Sequence, residues 1–278
     1  MDANFEGHEA LRQTLLNKAP KYGNDDVYAD EIARATAAAD LSERIKQVIG
    51  ITARVDVTTP EGVARSQGKA PNTLRFLQFS PRCTLIGYHQ AVEQEVRISY
   101  CQEHGIEINR RLTGGGGLFW DESQLGWEII AVQDDAQGPG FPSGAEALYK
   151  LLCQGTIRGL RDMGVEAAFR PVNDIEVDGR KISGTGGTSL GDAFLFQGSL
   201  LVDFDVDTML RALRIPVEKL KDKEVESVKE RVTCLAWELE EVPQLQQIKA
   251  ALAAGFAEML GVRFEEGPVT PYEGELLA

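Results

Sequence analysis

Apolar and polar positions switch between two rhythms along this chain of 278 residues. Thr73 to Phe79, Thr84 to Tyr88, Ile106 to Arg111 and Gly126 to Val132 are short apolar runs of the kind that form strands. Ile175 to Val177, Arg180 to Ser183 and Ala193 to Phe204 repeat that rhythm, and Asp178-Gly179 between the first two is a hairpin signal. Apolar residues recur at helical spacing over Glu93 to His104, closed by Gly105, and over Ala145 to Met163, closed by Gly164. Asp207 to Leu213 and Pro243 to Leu260 read as two more helices. Strands and helices mix without a regular βαβ alternation, which predicts an α+β fold: a mixed, mostly antiparallel sheet flanked by helices.

The beginning of the chain is different. Leu11 to Lys18 and Asp30 to Ile49 read as helices rich in alanine, leucine and alternating charge, with Pro20, Gly23 and Asn24 interrupting them. Thr52 to Val57 alternates like a strand, and Thr58-Thr59-Pro60-Glu61 has the form of a helix start. The expected organisation is therefore a helical extension over residues 1–50 and a catalytic domain over 51–278.

Composition narrows the function. The chain is 43% hydrophobic and 26% charged, enough to build an ordinary core. Acidic residues outnumber basic ones by 43 to 29, a net charge of −14 that repels phosphate backbones and argues against nucleic acid as partner. No apolar run approaches the ~20 residues of a membrane span. Met1 to Phe5 lacks a basic n-region, and Cys83, Cys101, Cys153 and Cys234 are too scattered for a disulfide framework or a zinc site. A soluble cytoplasmic protein with no membrane partner is expected.

Two constellations carry chemistry. In Arg110-Arg111-Leu112-Thr113-Gly114-Gly115-Gly116-Gly117, successive glycines let backbone N–H groups approach a ligand, and the arginines add donors for a phosphate or carboxylate. The spacing matches neither a P-loop nor a dinucleotide fingerprint. In Asn173-Asp174-Ile175-Glu176-Val177-Asp178-Gly179-Arg180-Lys181-Ile182-Ser183-Gly184, the hairpin carries Lys181 on a strand whose apolar partners are Val177 and Ile182. A lysine there either snorkels to solvent or stabilises developing negative charge in a site. His8, His89 and His104 cluster with no acid or nucleophile in the sequence, so histidine-based nucleophilic catalysis is not expected.

These motifs, followed by Gln197-Gly198-Ser199-Leu200-Leu201-Val202-Asp203, resemble the lipoate–protein ligase family. The family shares its catalytic fold with biotin protein ligases and octanoyltransferases. The resemblance runs from Leu74 to Leu213 and more loosely through 227–233 to Thr270-Pro271. It implies ATP-dependent activation of lipoate or octanoate to an acyl-AMP, lipoyl-AMP for lipoate, then transfer to a lysine of a lipoyl-domain protein. By position, Lys181 is the catalytic lysine, bridging the acyl carbonyl and the α-phosphate. Arg111 and Gly114 to Gly116 line the acyl and phosphate cleft. Asn173 and Asp174 sit at the nucleotide, Asp174 also at Mg2+, and Thr113, Gly184 and Gly198 complete the binding set. Many relatives have His-Asp where this chain has Trp120-Asp121, and His-Gly where it has Gln197-Gly198.

Two other readings stand beside this one. The first is a cysteine-dependent transferase of octanoyl or lipoyl groups, with Cys83 or Cys153 as carrier, although no cysteine lies just before Asn173 where such relatives keep it. The second is a non-catalytic subunit that binds lipoate. The accessory domain of long ligases is not expected within the chain, which leaves room for a separate accessory subunit. Asn17 to Ile32 also resembles an N-terminal segment of glycyl radical enzymes of the pyruvate formate-lyase type. The radical glycine motif and paired cysteines of those enzymes are absent, so a helical appendage or docking arm is expected there.

Overall fold

The computed structural model describes residues 71–111, 113–132, 141–142, 144–190, 193–214, 228–267 and 271. The helices expected within residues 1–49, the strand at Thr52 to Val57 and the helix start at Thr58 lie outside the described residues.

Among the described residues the elements run β1 (Thr73–Leu77), β2 (Cys83–Ile86), α1 (Val92–Glu95), α2 (Ile98–Glu103), β3 (Glu107–Arg110), β4 (Leu118–Trp120), β5 (Gln124–Val132), α3 (Ala145–Asp162), β6 (Ala168–Arg170), β7 (Asp174–Val177), β8 (Arg180–Leu190), β9 (Ala193–Leu201), α4 (Val206–Ala212), α5 (Leu235–Glu238) and α6 (Leu245–Leu260). Six strands form one sheet in the order β1-β5-β9-β8-β7-β6, and three form a second in the order β3-β2-β4. Every pairing is antiparallel except β2 with β3. The α+β expectation holds.

Side chains alternate faces along a strand, so the two faces of the large sheet can be read separately. Leu125, Trp127, Ile129 and Ala131 of β5 and Phe194, Phe196 and Leu200 of β9 join Ile157, Leu160 and Phe256 of α3 and α6 in the main core. The opposite face meets the small sheet, where Leu77 packs with Phe79, Leu85 and Trp120. That second face carries the candidate site.

Local signals account for several elements. At Asp178-Gly179 both residues have positive φ, 48° and 76°, the conformation of a two-residue hairpin turn that glycine adopts without strain. Helix α3 has Glu146 in its first turn and Arg161 in its last, matching the helix dipole, and α6 begins in a capping box between Gln244 and Gln247. One expected helix is broken. Glu93 to His104 forms α1 and α2 instead, because Val96 pairs with Leu213, Arg97 N–H donates to Ala212 O, and the Arg97 guanidinium donates to the carbonyls of Leu210 and Leu213. Tertiary hydrogen bonds at the end of α4 outcompete the helical ones.

Candidate active site

Strand β8 is where the expected residues converge. Its register with β7 runs Val177 with Arg180, Glu176 with Lys181, Ile175 with Ser183 and Asp174 with Gly184. One extra residue on β8 between the second and third pairs makes a β-bulge, a device that re-aims side chains beside functional sites. The bulge puts Lys181 and Gly184 on one face although they are three residues apart. Asp174 and Glu176 share that face, as does Arg170, the partner of Asp174 on β6.

The Lys181 ammonium lies 2.7 Å from Asp174 Oδ1, an ion pair outside hydrogen-bond alignment, and the lysine side chain stays 33% exposed. Arg170 donates to the other oxygen, Oδ2, at 2.7 Å and lies 3.3 Å from Glu176. Gly184 makes room for the lysine: a Cβ there would stand 2.7 Å from Nζ and 2.8 Å from Cε. The Lys181 backbone is held on its other side too, since its N–H donates to Arg231 O and its carbonyl accepts from Thr233 N–H. Glu238 anchors that segment by accepting from both Arg180 and Thr233. Residues 231–233, at the end of the loosely resembling segment, are thus the bridged neighbour of Lys181.

Asn173 braces β8 from the same end. Its amide donates to Thr185 O, while its carbonyl accepts from Thr185 N–H and from the Thr185 hydroxyl. About 7 Å along the strand from Gly184, on the same face, comes Gly186, where a Cβ would stand 3.5 Å from the Thr113 hydroxyl of the glycine loop. The Gln197 amide donates to Thr113 Oγ1 at 3.1 Å. Thr113, only 2% exposed, therefore joins the glycine loop to the sheet at Gln197.

Arg111 is placed differently from expectation. It lies beneath the loop, where Nη1 donates to Leu85 O and Nη2 to Gly114 O and Gly116 O. Burial lowers its pKa to about 10, so it remains a cation at neutral pH. Instead of lining a cleft, it shapes the loop by collecting its carbonyls. Gly114, Gly115 and Gly116 are exposed above it.

Gly115 has φ of +101°, and a Cβ would stand 2.8 Å from Arg111 Nη2, whereas Gly114 and Gly116 face open space. We expect Gly115→Ala to destabilise the protein by about 1–2 kcal/mol through backbone strain. Gly116→Ala should leave the melting temperature unchanged yet weaken ligand binding, if the backbone of the loop is what the ligand touches. Melting curves and calorimetric titrations of both variants separate the two effects.

Gly198 does not belong to the site. On β9 it shares the parity of Phe196 and Leu200, and a Cβ would stand 2.2 Å from Cζ2 of Trp127, which is fully buried. It makes room for an indole in the main core. Its neighbours Gln197 and Ser199 face the site instead, Ser199 Oγ accepting from Gly184 N–H and donating to Gly184 O. Neither was singled out by the sequence as a binding residue, and only the strand register reveals them. Trp120, at the place where many relatives have histidine, is core, tilted against Phe79 at 4.8 Å.

The Mg2+ expectation at Asp174 does not fit this donor set. Both carboxylate oxygens already meet cations, and among the described residues no three His, Cys, Asp or Glu side chains gather as ligands. The cysteines are equally telling. All four are buried and free. Burial pushes Cys83 and Cys153 up to about 12 and Cys234 up to about 11, and raises Cys101 as well. At neutral pH they are protonated thiols, not nucleophiles. Cys153 lies under the site, 3.8 Å from Thr185 Oγ1, on the core side of β8.

Known proteins share the sequence pattern and the fold. Residues 62–257 match the model of the lipoyl protein ligase A/B catalytic domain, and residues 1–49 match that of pyruvate formate lyase-like proteins. A bipartite lipoate protein ligase from Thermoplasma acidophilum, described with its E2 lipoyl domain, superposes with a TM-score of 0.66 at 28% identity, over 78% of this chain and 83% of that one. A lipoate-protein ligase A bound with ATP gives a TM-score of 0.65 at 25% identity, over 80% of this chain and 87% of that one. Octanoyltransferase LipM of Kyrpidia tusciae is 29% identical over 236 residues, 77% of this chain and 84% of its own. No helix among the described residues is long and apolar enough to cross a membrane.

Proposed function

The chain belongs to the lipoyl protein ligase A/B catalytic-domain family, and from that premise we propose that it joins lipoate or octanoate to AMP and passes the acyl group to a lysine of a lipoyl-carrier protein. The observation that carries this reading is Lys181, a one-third exposed cation backed by a glycine that leaves it room, on the sheet face that the glycine loop meets through Thr113 at Gly186 and Gln197. In the first step a carboxylate oxygen of the acid attacks the α-phosphorus of ATP, a P–O bond forms, and pyrophosphate leaves. In the second the neutral amine of the acceptor lysine attacks the acyl carbon. AMP leaves with the bonding electrons, and the amine gives up its proton.

Neither step needs a nucleophile from the enzyme. What both need is stabilisation of charge on the phosphate and carbonyl oxygens, which a fixed ammonium and backbone N–H groups supply without rearranging. Asp174 positions that ammonium in the unliganded protein. When phosphate oxygens arrive they compete for Lys181, and Arg170 remains to neutralise the carboxylate. ATP, as seen with the ligase A relative, is the co-substrate in this reading. A lipoyl domain is the acceptor, and a separate accessory subunit has its precedent in the bipartite Thermoplasma ligase.

The main rival is transfer through a cysteine, favoured by the similarity to LipM. Buried, protonated thiols speak against it, as does the absence of cysteine from residues 163–172. The test uses the native protein incubated with N-ethylmaleimide, then with lipoate, ATP and a lipoyl domain, the acceptor being weighed by mass spectrometry. Acceptor mass should rise by one lipoyl group, only with ATP, and alkylation should not abolish it. Transfer from an octanoylated carrier protein without ATP, lost on alkylation, overturns the proposal.

A further inference from the structure

The face that carries Lys181 continues across the large sheet. Gly186 stands opposite Gln197, Gln197 opposite Glu128, and Glu128 opposite Arg75, so one row of positions crosses four strands. Directly opposed residues share a face. The row therefore starts at the Thr113 contact of the glycine loop and ends on β1 in an ion pair. Arg75 Nε and Nη2 both donate to Glu128 Oε2, the first at 2.9 Å, with the two side chains only 12% and 10% exposed.

Stability alone does not account for such a pair. Dehydrating two charges costs about as much as their attraction returns, and well-packed hydrocarbon of the same volume often does as well or better. The surroundings offer hydrocarbon readily: two residues along β1 and β5 from the pair, Leu77 stands opposite Gly126 and closes over it with Trp120 of β4, a Cβ there standing 2.9 Å from Leu77 and 3.1 Å from Trp120. A charge pair has been kept beside an apolar plug.

Its place relative to Lys181 gives it a task. The inference rests on the reading above, in which the carboxyl end of the acid lies at Lys181. The Lys181 ammonium reaches Gly184, which stands opposite Ser199, itself opposite Gly126, so two strand spacings, about 10 Å, separate it from β5. An extended octanoyl chain is of comparable length, and one that crosses β9 from there ends at Gly126, under Leu77 and Trp120 and one row from Arg75–Glu128.

We propose that the Arg75–Glu128 pair makes the site selective for an acyl chain whose far end carries sulfur, the dithiolane of lipoate, over the methyl end of octanoate. A methyl group can neither donate nor accept, so its arrival removes water from the ion pair and returns nothing. Ring sulfur is polarisable and a weak hydrogen-bond acceptor, and it suits the field of a dehydrated guanidinium–carboxylate pair.

The experiment is calorimetric titration of the full chain with lipoate and with octanoate, without ATP. The wild type should bind lipoate about tenfold more tightly, the scale on which one well-placed contact discriminates between close analogues. In the Arg75→Leu/Glu128→Leu double variant that ratio should fall to about twofold or less on the same scale. Glu128→Gln, nearly identical in shape, should also lower it and serves if the double variant does not fold. An unchanged ratio in the folded variants, a wild type that prefers octanoate, or no binding of either acid overturns the proposal. ATP–pyrophosphate exchange on the same samples keeps the two readings apart: lost exchange with an intact, variant-sensitive binding ratio refutes the adenylating ligase and leaves the selectivity standing.

Discussion

Lys181→Ala should reduce acyl-adenylate formation by about 10²–10³-fold, the cost of removing one preorganised charge donor from a reaction that depends on such donors. The fold should survive. The side chain is one-third exposed, and the hydrogen bonds that seat residue 181 between β7 and residues 231–233 are made by its backbone. The substitution also leaves Asp174 facing Arg170 alone, so no carboxylate is stranded without a cation. ATP–pyrophosphate exchange measured beside a melting curve makes the check. Loss of exchange at an unchanged melting temperature is the expected result, and exchange near the wild-type rate removes Lys181 from the chemistry. Lys181→Arg should rescue little, because the space that Gly184 leaves is matched to the slender lysine side chain.

The second large effect falls on stability. Gly198→Ala adds a methyl group where Trp127 already stands, at 2.2 Å from Cζ2 and 2.8 Å from Nε1. The indole is fully buried and wedged between Phe196 and Phe256, with ring centroids 5.5 and 5.0 Å away, so it has little freedom to withdraw. Overpacking of this kind costs about 2–3 kcal/mol, which for a chain of this size lowers the melting temperature by about 5–10 °C. Because the added group points away from Lys181, the affinity for lipoate measured well below the transition should not change. A variant that melts normally but loses affinity would return Gly198 to the binding set.

The contrast between these two residues shows where the sequence is legible. Asp178-Gly179 announces its turn because few residues accept positive φ at both positions. Ala145 to Met163 announces a helix because enough turns repeat for the period to show. Lys181 and Asp174 are picked out by the family resemblance, since residue type alone leaves the lysine open between solvent and site. Face, by contrast, depends on register. Simple alternation pairs Lys181 with Ser183 and Thr185, and only the bulge at Ile182 brings it round to Gly184. The same reasoning explains Gly198, which sits within a family-like motif but one position off the parity of the site, while Gln197 and Ser199 beside it face Lys181. Strands β4 and β6 have three residues each, too few for any period to register. The break in the helix at Val96 and Arg97 was equally hidden, since its cause lies on α4, more than a hundred residues later. Arg75 and Glu128 are 53 residues apart and look like ordinary surface charges until the strands pair.

The seating of Lys181 also bears on the order in which the molecule can be put together. The β7–β8 hairpin is local, and its turn can close as soon as both strands exist. The other edge of residue 181 is different: its N–H and carbonyl find partners only at Arg231 and Thr233. Between them lies all of β9 and α4, so the contact closes a long loop and comes at an entropic cost that local pairings do not bear. During synthesis Lys181 therefore emerges about fifty residues before the partners that complete it. The sheet around it can form first, and its position becomes fully hydrogen-bonded only when the chain has been made through residue 233.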